Sequence, residues 1–574
     1  MIVKDQIRDI ISKTVREKVD FVVESPEIKN YGDYATNIAL ILAKKQDKNP
    51  QEVANSIISK LKAQDSELFS KIEVVNGFIN FFLKPDFYKK QLRDILKQDE
   101  KFGSQNIGKN KKVMIDYSSP NVAKPMHVGH LRSIIIGQAI YNLYKFLGYK
   151  AIGDNHLGDW GTQFGIIIAG CKKYKPRISE IKKITIKEML DIYVKFNQEI
   201  EKNPDLQEVA KQEFKKLEDG DKENRRIWQI LKDKSLEDFN KIYKILGIKF
   251  DFVLGESFYE KYLKDEIKSA LKKKVAIKNP DNSIIIPLDE FNLTPFLIQK
   301  SDGATLYGTR DLATIRYRVK EFNPEKIIYV IGNEQTLYLQ QLFRSIDLLG
   351  YIFCDRLYHI KFGLVLDKNH KKLATREGRV VSAEDLINKI IELADKVIKE
   401  KNPNLSEKER KEAAKIIGVG ALKYNDLSQN RQTDIVFDWD KMLSFEGNSS
   451  PYLQYSYVRL RSILRKAALS SDRVPRRMTG QILKLLEHPS ELGLIKELIK
   501  FPEIVQETAE NFQLNNLANY LFKLANLVNS FYESIPVLKA EQDIRLARLA
   551  LIQAATIILR NGLNLLGIEV LEKM

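Results

Sequence analysis

Cysteine is almost absent: Cys171 and Cys354 are the only two in 574 residues, and they form no CxxC. A disulfide framework needs several spaced cysteines and a zinc knuckle needs clustered thiolates, so neither is expected. No apolar run is long enough for a bilayer crossing, which takes about 20 residues. The opening MIVKDQIRDIISKTVREKVDF carries acidic side chains and lacks the apolar centre of a secretory signal. It reads instead as an amphipathic helix, with Ile7, Ile10, Ile11, Val15 and Val19 on one stripe. The cytosol is the expected address. Internal repeats and low-complexity tracts are also missing, which sets solenoids aside.

What is present describes a globular chain, with 44% hydrophobic and 29% charged residues. Its length points to about three to four domains. Basic residues outnumber acidic ones by 93 to 76, a balance of +17. That surplus suits a polyanion, because clustered Lys and Arg release counterions from phosphates, and it suits solubility equally well. Residues 1–107 read as a small α/β module, in which KIEVVNGFINFFL makes two strands about Asn76-Gly77. Residues 103–112 are a polar linker. From Val113 onward, apolar β-type runs (VMIDY, Ile284–Pro287, Ile327–Ile331, Ile360–Val365) alternate with helical patterns. That alternation predicts an α/β, doubly wound parallel sheet over 108–420, with a charged helical insertion near 171–280. Residues 421–574 show helical patterns only and are expected to form an α-helical bundle.

The segment DYSSPNVAKPMHVGHLRSIIIGQAI, residues 116–140, reads as strand, turn and helix. The carboxyl end of a parallel strand is where nucleotides bind, and a helix N-terminus offers N–H groups to phosphate oxygens. His127 and His130 lie three apart in the first turn, and Gly129 leaves room for an adenine ring.

HVGH matches the HIGH signature of class I aminoacyl-tRNA synthetases. The longer SSPNVAKPMHVGHLRS resembles the arginyl-tRNA synthetases, as do GDWGTQFG, LYGTRDLA, YVIGNEQ and SSPYLQYSYVRLRS, so the likeness runs through every domain. The resemblance implies a Rossmann-type catalytic domain that uses ATP with Mg2+ to activate arginine. The arginyl group then passes to the end of tRNA(Arg), with activation dependent on bound tRNA. It further implies a monomer, while the two isolated cysteines leave no zinc expected and the missing apolar run no membrane partner.

Site residues follow from the same resemblance. His127, Gly129, His130, Gly332, Gln335 and Val365 would bind ATP. The loop DKNHKKLATREGRVV looks like the KMSKS element, with Lys372 and Arg376 as its cations, and Lys124 stands where a lysine before HIGH compensates for a degenerate loop. A guanidinium is planar with five donors, so its pocket should offer carboxylates and oriented acceptors. By resemblance Asp311 pairs with the guanidinium and Tyr307, on the same helix face, closes the pocket over the side chain. Asp116 and Asn121 would hold the guanidinium and the α-amino or carboxylate groups, and Gln341 would make a further substrate contact. Residues 1–107 resemble the domain that grips the tRNA elbow, through Phe78 and Asn80 on one side of a strand. Tyr455, Arg459 and Met574 would meet the anticodon. Another class I synthetase and a non-catalytic RNA-binding relative remain the alternatives.

Overall fold

The computed structural model describes residues 2–26, 28–63, 68–371, 373, 381–469 and 480–573. The N-terminal module has a four-stranded antiparallel sheet in the order Val23–Glu24, Tyr34–Thr36, Phe78–Leu83, Phe69–Val75. Its hairpin turns on Asn76 (φ 52°) and Gly77 (φ 80°). Paired positive φ values match the twist of a two-residue hairpin, which is why Asn-Gly signalled it. Helices Val3–Val15, Ile38–Gln46, Pro50–Ala63 and Pro85–Gln98 belong to the same module. The polar linker is docked: Gln105, Gly108 and Asn110 donate backbone N–H groups to the carbonyls of Phe146, Leu147 and Gly148 at 3.2, 3.1 and 2.9 Å.

The central sheet is parallel throughout, in the order Leu357–His359, Lys326–Tyr329, Lys112–Asp116, Lys150–Asp154. The strand at 112–116 comes first in this sheet, and the next two flank it on opposite sides. The order therefore reverses beside it and opens a crevice at the strands' carboxyl ends. Two expected strands sit elsewhere. Ile284–Ile286 is the middle of a separate antiparallel sheet with Ile277–Lys278 and Phe296–Gln299. The run Ile360–Val365 mostly follows the strand Leu357–His359, and only Val365 enters a short strand, Val365–Leu366. An apolar run reports burial and leaves the strand's partner open.

The charged insertion is helical, as expected, and its longest helix is Lys222–Leu246. Asp221 caps its start by accepting from Glu223 N and Asn224 N at 3.1 and 3.0 Å, and Gly247 (φ 67°) ends it in the left-handed region. The C-terminal part is a bundle that includes Ser450–Leu469, Phe501–Asn511, Leu514–Ser534 and Gln542–Leu565. One strand interrupts the expected all-helical pattern: Ile435–Val436 pairs in parallel with Val365–Leu366. Two residues are too few to register as a period. Gln542–Leu565 is long and apolar enough to cross a membrane, contrary to the reading of the sequence, yet 78% of its most apolar stretch is buried inside the protein.

Candidate active site

The chain leaves strand Lys112–Asp116 through a strained turn. Ser118 (φ 75°), Ser119 (φ 44°) and Ala123 (φ 64°) are left-handed without being glycine. Each such residue costs about 1–3 kcal/mol and persists only where its surroundings over-determine it. Here Ser118 N donates to Ser133 Oγ (2.9 Å), Ser119 N to Asn155 Oδ1 (3.1 Å) and Ala123 N to Ser235 Oγ (2.9 Å). Ser133 Oγ also donates to the Val330 carbonyl at 2.7 Å, so one hydroxyl ties together the loops on both sides of the crevice. Asn121 bridges to Gly158 of the GDWG segment, where a Cβ would stand 2.2 Å from Asn121 Oδ1. A side chain at 158 would push the Asn121 amide out of this position.

Helix Val128–Phe146 starts at this turn with His127 as its N-cap. His127 Nδ1 accepts from Gly129 N, and His130 Nδ1 accepts from His127 N, both at 3.1 Å. The ring centroids lie 3.9 Å apart. A Cβ on Gly129 would come within 3.1 Å of the His127 ring, so the glycine also makes room for this cap. An imidazole that accepts at Nδ1 carries its proton on Nε2 when neutral. Burial, and then the neighbouring His127, pushes the His130 pKa down to about 3. His130 is thus an uncharged imidazole in the first turn, at the positive end of a helix.

Carboxylates gather at the carboxyl ends of the neighbouring strands. Asp116 and Asp154 end neighbouring strands, and Arg318 Nη2 lies 2.7 Å from Oδ2 of each. Asp116 Oδ1 accepts from Ser119 Oγ at 2.8 Å, and Arg318 Nη1 donates to Tyr329 OH at 3.1 Å. Asp116 is therefore engaged by an internal guanidinium. Helix Tyr307–Phe322 does put Tyr307 and Asp311 on one face. Asp311 accepts from Tyr338 OH and lies 3.9 Å from His156 Nε2. Tyr307 is 56% exposed and stacks edge-on against Tyr338, with ring centroids 4.9 Å apart. Glu256 sits 3.2 Å from Arg310. Burial raises the pKa of Asp154, Glu256 and Asp311 alike, which marks a crowded acidic pocket. Gln341 Nε2 donates to the Thr294 carbonyl and hydroxyl at 2.8 and 2.9 Å.

The remaining sequence-derived residues spread more widely. Gly332 bridges to Phe362 at the end of the neighbouring strand, and Gln335 is exposed beside it. Val365 is buried under the His-capped helix, among Val128, Leu131 and Ile135. The Lys124 ammonium lies 4.9 Å from the centre of the Tyr193 ring. Lys372, Arg376 and Met574 lie outside the described residues. Phe78 is 37% exposed at the hairpin tip, whereas Asn80 is buried. Tyr455 is exposed, and Arg459 reaches Glu533 at 3.3 Å and the face of Tyr532 at 5.0 Å. The C-terminal segment packs on the same helix through Glu572, bound by Arg461 at 2.7 Å and Tyr457 at 3.1 Å. The sequence reading leaves out Arg318, Tyr338, Glu256 and His156. Arg318 lies two helical turns beyond Asp311, and that spacing is the one signal that could have found it.

Three families match successive parts of the chain: arginyl tRNA synthetase N terminal domain over residues 1–83, tRNA synthetases class I (R), catalytic domain over 91–439, and DALR anticodon binding domain over 453–574. An arginine–tRNA ligase of Clostridium botulinum is 41% identical over 577 residues, covering 100% of both chains. One from Fusobacterium nucleatum is 39% identical over 578 residues, covering 99% of both. Among solved structures, the arginyl-tRNA synthetase of Plasmodium falciparum superposes with a TM-score of 0.86 at 27% identity, covering 100% of this chain and 99% of its own. That of Thermus thermophilus gives 0.83 at 23% identity over 100% of both chains and bears on the fold.

Proposed function

The chain belongs to the arginyl-tRNA synthetases, and from that premise we propose how its residues divide the work of an arginine–tRNA ligase. The reaction has two steps. A carboxylate oxygen of arginine attacks the α-phosphorus of ATP, and the bond to pyrophosphate breaks. A ribose hydroxyl of tRNA(Arg) then attacks the arginyl carbonyl carbon, and AMP leaves.

Both steps ask for fixed donors around a charged phosphate more than for a covalent nucleophile. His127 and His130 supply them as Nε2–H groups at a helix start, with Gly129, Gly332, Gln335 and Val365 around the nucleotide. Mg2+ arrives on the ATP. Lys124, Lys372 and Arg376 add positive charge at the phosphates. Asp311 takes the guanidinium, Tyr307 covers it, and Asn121 and Gln341 orient the rest of the substrate. Asp116 acts from behind, since it shares Arg318 with Asp154. The observation that carries this reading is the placement of Asp311, in a carboxylate-rich pocket at the same sheet edge as the His-capped helix. Residues 108–420 carry the chemistry, with residues 1–107 at the tRNA elbow through Phe78 and Asn80. Residues 421–574 meet the anticodon through Tyr455, Arg459 and Met574. The enzyme works as a cytosolic monomer.

Activation requires bound tRNA in this reading, because the exposed Tyr307 has to be ordered over the substrate. Pyrophosphate exchange with each of the twenty amino acids, with and without tRNA, tests the proposal. Exchange is expected with arginine alone and only when tRNA is present. Exchange driven by another amino acid overturns the substrate assignment, and strong exchange without tRNA overturns the coupling.

A further inference from the structure

Helix Lys222–Leu246 belongs to the charged insertion, yet four of its side chains reach the two segments that carry Asn121 and Gly158. Trp228 Nε1 donates to the Asp159 carbonyl at 2.8 Å, and Lys232 Nζ donates to Asp159 Oδ2 at 2.6 Å. Ser235 Oγ accepts from Ala123 N at 2.9 Å and donates to the Leu231 carbonyl of its own helix at 2.8 Å. The Tyr243 hydroxyl accepts from Asn155 Nδ2 at 3.0 Å and shares a hydrogen bond of 2.7 Å with Ser118 Oγ. Asn155 Oδ1 in turn accepts from Ser119 N. At 3.6 residues per turn, positions 228, 232, 235 and 243 fall on one face of the helix.

The two segments also hold each other. Val122 N donates to the Gly158 carbonyl and Gly158 N to the Pro120 carbonyl, each at 3.1 Å. The helix meets the first segment where its backbone is strained: Ser118, Ser119 and Ala123 are the left-handed residues, and Asn121 lies between them. Such a conformation lasts only while its partners over-determine it. The helix itself is anchored away from the site. Asp221 caps its start, and at its other end the Leu246 carbonyl accepts from Lys423 Nζ at 2.7 Å. Lys423 also donates to the Gly567 carbonyl, beyond the last helix of the bundle.

We propose that this helix is a clamp on the substrate turn, with Ser235 and Tyr243 as positioning residues that keep residues 118–123 in the shape presenting Asn121 to arginine. The proposal rests on the reading of Asn121 as a substrate residue. Ser235 and Tyr243 are buried, and they act through Ala123, Ser118 and Asn155. A side chain that only packs the core takes stability with it when truncated and leaves the folded enzyme's kinetics alone. A positioning hydroxyl gives the opposite signature. Its lost hydrogen bond is offset by the strain the turn releases, while a shift of about 1 Å at the substrate can cost about a hundredfold in rate.

The test compares Tyr243→Phe and Ser235→Ala with the wild type in tRNA charging, well below each melting temperature, so that only folded enzyme is read. Each change removes one hydroxyl and keeps the rest of the side chain. The expected result is a fall of about tenfold to a hundredfold in kcat/KM for arginine, with the ATP constant moving much less and the melting temperature near the wild type's. The double variant should lose less than the product of the two, because both hydroxyls hold one turn. Unchanged arginine kinetics in the single variants, or equal changes in the arginine and ATP constants, overturns the proposal, and a full product in the double variant overturns the shared clamp. Should Ser235→Ala fold poorly, Tyr243→Phe alone decides. Asn121→Ala separates the two layers. Unchanged arginine kinetics there overturns the reading of Asn121, whereas a large loss there beside silent Tyr243→Phe and Ser235→Ala overturns only the clamp.

Discussion

His130 Nδ1 accepts the backbone N–H of His127 at 3.1 Å, so one ring both closes the helix cap and fixes the proton on its own Nε2. Structure and chemistry can be separated at this residue. His130→Ala should slow arginine activation about a hundredfold or more, the usual loss for one preorganised donor. It should also cost about 1 kcal/mol for the lost cap. His130→Asn keeps an acceptor for the His127 N–H and should recover stability without recovering the rate. Exchange kinetics beside a thermal melt read both. Since the folded pKa of about 3 lies below the ordinary histidine value, stability from this group is full above about pH 6.5 and declines as pH falls toward 3. No inflection in the rate between pH 5 and 8 should trace to His130.

Arg318 is fully buried and answers two carboxylates from one nitrogen. Removing one partner of a buried ion pair strands the other charge and costs about 3–5 kcal/mol in general. Arg318→Met should lower unfolding free energy by about that much, as read by urea denaturation. Arg318→Met with Asp154→Asn should lose less than the sum of the single variants, because the groups are in contact. Additive losses would deny that Arg318 organises the strand ends.

Glu503 joins the N-terminal module to the bundle. Its Oε2 accepts from Tyr34 OH at 3.1 Å, and Lys4 lies 3.9 Å away. Burial outweighs Lys4 and raises its pKa to about 7. A carboxyl raised on folding favours the protonated native state. Its contribution is therefore full below about pH 4.5 and is lost as pH rises through about 7, by no more than about 3 kcal/mol. Between pH 5.5 and 8 the melting temperature of Glu503→Gln should rise relative to the wild type's. A constant difference across that range would show that Glu503 does not titrate there.

These contacts mark where the sequence stopped being legible. The strand–turn–helix at 116–140 was readable because its signals are local: a β run, two prolines, and His at i and i+3. The Asn-Gly hairpin was readable for the same reason. Arg310, Arg316 and Arg318 all lie on one helix, and the two-turn spacing of Arg318 from Asp311 marks a shared face without saying that this arginine is sunk between two strand ends. That depends on Asp154, 164 positions earlier in the chain. His156 carried no local signal, since its unmatched nitrogens exist only after folding. Asp116 was read toward the substrate, but its carboxylate is already taken up by Arg318 and Ser119, a partnership that local pattern cannot disclose.

The elbow residues separate by burial. Phe78 and Asn80 share a face of strand Phe78–Leu83, but Phe78 is 37% exposed at the tip and Asn80 only 2%. An exposed aromatic ring can stack on an unpaired base, and base stacking is worth about 1–3 kcal/mol by alanine substitution. Phe78→Ala should therefore raise the tRNA constant about fivefold to a hundredfold, leaving the arginine constant and the melting temperature in place. Asn80 lies opposite Ala35 and Glu73 in the middle of the sheet. Truncating this buried side chain to Ala removes packed atoms from the middle of the sheet, at about 0.5–3 kcal/mol. Asn80→Ala should thus lower stability first and weaken tRNA binding through the module that carries Phe78. Charging kinetics across tRNA concentrations, with a melt of each variant, decide the matter. A destabilised Phe78→Ala with an ordinary tRNA constant would make that ring part of the core, and the elbow contact would have to be sought elsewhere on the module.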